Sequence, residues 1–194
     1  NLLDLGVGRV SAVGIIGQDL FGRQLLEFLD QQGAKTSGML PGQDDWHTPV
    51  YAKPCIGDGE LNRMDFGAFN QIDLRYIDAL AEQLESAAQE ADVVILNQQL
   101  PLGVSTSAMI ERINSVIGAF PAGRFIVDSR HRAGAYRGAM LKLNAHEAAT
   151  LLGQPCPSAE QLGAEAEREL AQRLFGRIKQ PVFLTRGENG LIVV

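Results

Sequence analysis

The sequence predicts an α/β protein: a largely parallel sheet flanked by helices on both faces, with a small β-sheet lid set into it. Three observations carry that expectation. Short apolar runs at 93–96, 125–127 and 182–184 have the length and branching of buried strands, and stretches with helical apolar spacing separate them. Polar clusters stand at the carboxyl ends of such runs, Asn97-Gln98-Gln99, Asp128-Ser129-Arg130 and Asn144-x-His146-Glu147, where open α/β sheets place their ligand crevices. Between 35 and 70 the helical spacing lapses, and eight glycines and prolines from Gly38 to Gly67 punctuate short extended pieces.

Taken in order, Asn1 to Leu5 has the apolar spacing of a last helical turn, and Gly6 and Gly8 lead into a strand over 9–16, so the chain is expected to begin inside an element. Gly6-x-Gly8 precedes a strand instead of following one, and Ser11 stands at the third glycine position, so a dinucleotide fingerprint is excluded. No Walker A sequence occurs. Asp19 can cap a helix whose Phe21, Leu25, Phe28 and Leu29 share a face, ending at Gly33. In the punctuated region, Val50–Ala52 and the Leu61, Met64, Phe66 alternation predict two antiparallel strands turning at Gly57-Asp58-Gly59.

Helical spacing returns from Asp73 to Glu90 through Leu74, Ile77, Leu80, Ala81, Leu84 and Ala88, and the four apolar residues of 93–96 read as a central parallel strand. A helix over about 106–120 and a strand at 125–127 follow. Leu141 and Leu143 flank Lys142, and then Asn144 and Glu147 form a near capping box for a helix that Gly153 can end in a left-handed cap. Ser158-x-x-Gln161 is a second capping box, opening a helix to about Ile178. The last segment is strand, Gly187-Glu188-Asn189-Gly190 turn, and returning strand.

Composition sets outer limits. The 194 residues suffice for one sizeable core and are read as a single, incomplete domain with an insertion at about 36–70. A net charge of −6 leaves no basic footprint for nucleic acid, and no run approaches the roughly 18 apolar residues of a membrane span. Cys55 and Cys156, His47, His131 and His146 are scattered without ligand spacing, which points to thiols in a reducing cytoplasm and away from a zinc site.

Two motifs carry chemistry. Glu147, in the first turn of a helix beside exposed backbone N–H groups and near Lys142, is either a capping residue alone or placed to order a hydrated magnesium ion or a phosphate. Thr185-Arg186-Gly187-x-x-Gly190 reads on its glycines alone as a hairpin turn, with the charge of Arg186 beside it. Gln98 or Gln99 is a candidate sugar ligand, since an amide both donates to and accepts from hydroxyls.

Together, in this order and one helix apart, the two motifs resemble the Asn-x-x-Glu and T-x-G-x-x-G runs of the ribokinase-like (phosphofructokinase-B) carbohydrate kinases. The run FIVDSR followed by RGAMLKLNAHEAATLLG is similar to the heptose-kinase-like branch of that family. The resemblance implies a ribokinase-like fold and transfer of a phosphoryl group from ATP with Mg2+ to a sugar or sugar phosphate. Lys142, Asn144, Glu147, Thr185, Arg186, Gly187 and Gly190 would hold the nucleotide, with Glu147 toward the metal. Trp46-His47-Thr48-Pro49 and Arg63-x-Asp65 resemble the lid of these kinases, so Thr48 and Arg63 join Gln98 and Asp128 as substrate candidates, and the lid could pair two copies in a homodimer. The family's diglycine motif is expected before Asn1, and its catalytic Asp, in Gly-Ala-Gly-Asp, after Val194. A catalytically silent sugar- or nucleotide-binding relative is the alternative.

Overall fold

The computed structural model describes residues 2–155 and 163–194. Two compact units emerge, Asn1–Glu90 with Leu102–Met109, and Ala91–Pro101 with Ile110–Val194. Cys156 and the Ser158–Gln161 capping box lie outside the described residues.

The first unit is built on two parallel strands, β1 (Ser11–Ile16) and β2 (Lys35–Pro41), joined by helix α1 (Leu20–Gln31). Residues 2–6 form turns ahead of β1, which starts two residues later than the sequence suggests. Asp19 caps α1 by accepting from the Gly22 N–H at 2.7 Å, and Gly33, at φ +79°, closes the exit. The apolar stripe of α1 is real in spacing but faces outward: Phe21, Leu25 and Phe28 are exposed, with Phe21 leaning on Phe66 at 5.9 Å between ring centres.

The lid strands are β3 (Val50–Ala52) and β6 (Met64–Phe66), antiparallel with Val50 opposite Phe66, and between them a short tip pairs β4 (Cys55–Ile56) with β5 (Gly59–Glu60). The tip turns one residue earlier than the Asp-Gly pair suggests, because Gly57 takes the positive φ (+58°) at the first central position, as type II′ turns require. Neither pair is hydrogen-bonded into another sheet. The first part of the 36–70 stretch is β2 and belongs to the β1–β2 sheet. Helix α2 (Leu74–Glu90) packs Ile77, Leu80, Ala81, Leu84 and Ala88 on those two strands, while Leu74 stays exposed at the helix start.

The second unit is a five-stranded sheet. Strand β7 (Val94–Gln98), then helix α3 (Ser107–Gly118, begun in the first unit), β8 (Phe125–Ser129), β9 (Met140–Asn144), helix α4 (Ala145–Leu151), helix α5 (Ala164–Ile178), β10 (Val182–Thr185) and β11 (Leu191–Val193) follow in the chain. The sheet order is β11-β10-β9-β8-β7, parallel except for β11. Its buried face carries Phe125, Val127, Leu141, Leu143, Val182 and Leu184, and Leu170, Ala171 and Leu174 of α5 are equally buried. Parallel strands covered by helices lose water from whole apolar runs, which is why these read as unbroken hydrophobic segments.

One strand departs from the expectation. The four-residue apolar run at 93–96 suggests a central strand, yet β7 is at the edge of its sheet and Ile95 is 51% exposed. Continuous apolarity says that both faces suit burial, but it does not say what covers the second face.

Candidate functional site

The carboxyl ends of β8, β9 and β10 gather polar side chains on one face by register alone. Asp128 stands opposite Lys142, and Asn144 opposite Thr185; since side chains alternate along a strand and registered neighbours point the same way, all four share the face opposite Leu141 and Leu143. Lys142 Nζ donates to Asp128 Oδ2 at 2.7 Å in a half-exposed ion pair. The next turn of chain starts α4, where the sequence pattern is realised in full: Asn144 Oδ1 accepts from the Glu147 N–H and Glu147 Oε2 accepts from the Asn144 N–H, both at 2.9 Å. Gly153 ends the helix with φ +70°. The box spends one oxygen of Glu147 and holds the carboxylate beside Asn144.

Beyond Thr185, whose hydroxyl donates to the Leu143 carbonyl at 3.4 Å, the chain makes a tight 3-10 turn over Gly187–Asn189. Gly187 and Gly190 have φ of +57° and +83°, and where a Cβ would stand on either nothing among the described residues lies within 4 Å. Glycine is needed there for backbone conformation, and the bare backbone is left open to a ligand. Arg186 is engaged: its Nε donates to Glu167 Oε2 of α5 at 2.5 Å and its Nη1 to the Asn189 carbonyl at 3.2 Å.

Gln98 lies at the end of β7 on the other face of this sheet and is 5% exposed. Its Oε1 accepts from the Ser129 hydroxyl at 2.6 Å and from the His131 N–H at 3.1 Å, and its amide nitrogen donates to the Leu100 carbonyl. Gln99 is the exposed amide of the pair and accepts from Arg130 Nε at 2.8 Å.

In the first unit, Thr48 is 4% exposed and both of its polar groups are taken. Its hydroxyl accepts from the Gly17 N–H at 3.0 Å, and its N–H donates to Asp19 Oδ2 at 2.8 Å. Partial burial pushes the Asp19 carboxyl up, but the N–H groups of Thr48 and Gly22, the Thr48 hydroxyl and nearby His47 outweigh it and hold Asp19 below the ordinary carboxylate value. The other root of the lid is tied to the same place, since Asn70 accepts from the His47 N–H at 3.1 Å and donates to the His47 carbonyl at 2.6 Å. Arg63 forms two bonds with Asp65, at 2.6 and 2.8 Å, and its guanidinium lies 4.3 Å from the centre of the Tyr51 ring.

Two residues escaped sequence reasoning. Asp19 looks like a helix cap and nothing more, because its bond to Thr48 spans 29 residues. Glu167 had a readable signal: it sits with Leu170, Ala171 and Leu174 at helical spacing, a carboxylate on an otherwise apolar stripe, and it is 8% exposed.

A model of the pfkB family of carbohydrate kinases matches residues 1–194. The chain belongs to that family. Among solved structures, phosphofructokinase-2 from Escherichia coli in complex with substrates and products shares the fold at a TM-score of 0.69 and 20% identity, over 96% of this chain and 59% of that one. Ribokinase from Giardia lamblia matches at 0.66 and 15%, over 95% and 55%, and a PfkB protein from Polaromonas sp. JS666 at 0.64 and 15%, over 95% and 63%. The chain thus spans about three-fifths of the length of these structures. A search of curated proteins found no match. Within the pfkB fold, the Asn144–Glu147 box and the Gly187–Gly190 turn lie side by side at the carboxyl edge of the sheet, because β9 and β10 are adjacent and in register. No helix among the described residues is long and apolar enough to cross a membrane.

Proposed function

We propose that this carbohydrate kinase chain carries the nucleotide half of a site that phosphorylates a hydroxyl of a sugar or sugar phosphate with Mg-ATP. The observation supporting it is the pairing of Thr185 with Asn144, which sets the open Gly187–Gly190 backbone beside the capped start of α4. Lys142, Asn144, Glu147, Thr185, Arg186, Gly187 and Gly190 form the nucleotide side. The two positive-φ glycines let backbone approach a phosphate or ribose, and the half-exposed ammonium of Lys142, bonded to Asp128, keeps further N–H groups for a phosphate. Glu147 has one carboxylate oxygen outside the capping box, which suits a magnesium ion that arrives with phosphates and keeps its waters. Bound there, such an ion would neutralise charge on the transferred group.

Among the substrate candidates, Asp128 keeps acceptor chemistry for a hydroxyl on the face it shares with Asn144, Arg63 keeps a guanidinium for phosphate within its own unit, and Gln98, buried with both amide atoms bonded, serves by holding the Ser129–His131 turn. Thr48 contributes by holding the lid root. A second copy meeting the exposed Tyr51, Ile56, Met64 and Phe66 of the lid is part of this reading. The base is assigned to the family's Gly-Ala-Gly-Asp motif, which these 194 residues do not contain. The test is Mg-ATP consumption against a panel of sugars and sugar phosphates, on this chain and on a longer form carrying the motif. Turnover by the longer form alone is expected, since a positioned base contributes roughly 10²- to 10⁴-fold. Equal turnover by both would overturn the assignment of the base, and none by either would overturn the kinase reading.

A further inference from the structure

The turn at Gly187–Gly190 is held by few bonds of its own. The Asn189 N–H donates to the Arg186 carbonyl at 3.1 Å, the Gly190 N–H to the Gly187 carbonyl at 3.2 Å and the Arg186 N–H to the Gly190 carbonyl at 2.9 Å. Among the described residues, no side chain contacts the Cβ sites of Gly187 or Gly190 to brace it. What braces it is Arg186, whose guanidinium bonds the Asn189 carbonyl from one nitrogen while another is held by Glu167. Glu167 is buried in the first part of α5, on the stripe whose Leu170, Ala171 and Leu174 are also buried. A carboxylate in that place is costly unless paired, and its pairing fixes where the guanidinium can lie.

We propose that Glu167 is a positioning residue for the nucleotide site: through Arg186 it locks the Gly187–Gly190 turn in the open shape that receives phosphate or ribose. This rests on the nucleotide reading given above and adds a residue 19 positions upstream of Arg186. Arg186 then serves the site mainly by shaping the backbone, because its charge is already met by Glu167. A preformed turn binds more tightly because the ordering cost is met during folding and not at binding.

The experiment is titration of the 194-residue chain with a fluorescent N-methylanthraniloyl ADP in Mg2+, comparing wild type, Glu167→Gln, Arg186→Ala and the double variant. A parallel reading of amide exchange covers Asn189, Gly190 and the α5 interior. Each single variant is expected to bind about tenfold more weakly, with faster exchange at 189–190 and unchanged exchange at Leu170–Leu174. The double variant is expected to match Arg186→Ala instead of losing about a hundredfold, since one residue acts through the other. Unaltered affinity in Glu167→Gln, or additive losses in the double variant, would overturn the proposal even with a nucleotide site present. Protected 189–190 amides in Glu167→Gln would overturn it without reference to any ligand. Failure of the wild-type chain to bind the nucleotide would overturn the site reading and the proposal with it.

Discussion

Asp19 does two tasks with two oxygens. Oδ1 takes the Gly22 N–H to start α1, and Oδ2 takes the Thr48 N–H to fix the lid root. Asp19→Ala is expected to cost about 2 kcal/mol in urea unfolding, the sum of a lost cap and an unmet amide at a buried residue. The pH dependence has a definite sign. Because the folded carboxyl titrates below its ordinary value of 3.8, its contribution is fully present above that value and is lost as pH falls through the lower folded value. Wild type should therefore lose stability below about pH 4 more steeply than Asp19→Asn, as a denaturant series from pH 6 to 3 would show. Gly22 is constrained by contact and not by φ: a Cβ there would stand 2.0 Å from the Gly17 carbonyl oxygen. Gly22→Ala should cost about 2–3 kcal/mol by overpacking. Gly176, inside α5 with nothing within 4 Å of its Cβ site, gives the opposite expectation: Gly176→Ala should stabilise by about 0.5–1 kcal/mol in the same assay.

At the scale of elements, the lid stands on a stem that is pinned twice, by Asn70 to both backbone groups of His47 and by Thr48 to Asp19 and Gly17. Gly67 makes the second pin possible, since at φ +64° its Cβ site is 2.5 Å from the His47 carbonyl oxygen. Trp46, the single tryptophan, is buried next to this stem and reports on it. Asn70→Ala leaves two backbone groups of His47 unmet, so its Trp46 emission should shift to the red and lid cleavage by a protease should speed up by about an order of magnitude. An unshifted emission would mean that the stem is held by something other than Asn70. The lid and the α4 start also differ in how legible they were. The Asn144–Glu147 box was readable because every partner lies within three residues. The lid's strands were readable from alternation, whereas its stem depends on bonds between residues 23 to 31 positions apart.

At the scale of the molecule, exposed apolar groups mark surfaces that this chain does not cover. Ile95 is exposed on the edge strand β7, and Leu191 and Val193 on β11. Unpaired edges with apolar side chains recruit other edges, so the chain should associate with rising concentration in sedimentation velocity, and Ile95→Lys should reduce that association. Association lost instead on Met64→Glu would assign it to the lid.

The sequence by itself determined the class of the fold and the local devices of the site. Strand and helix periods, the capping box at Asn144, the Gly153 exit and the glycine turn at 187–190 are all properties of short stretches, and short stretches are what a linear reading sees. Only the tertiary structure decided that Asp19 answers to Thr48, that Gln98 turns inward to Ser129 and His131, that Glu167 holds Arg186, and that β7 lies at an edge. Each of these is a contact between residues distant in the chain or a question of what covers a face. Local preference is silent on both, because the energy that settles them comes from burial and pairing made only after the elements have met.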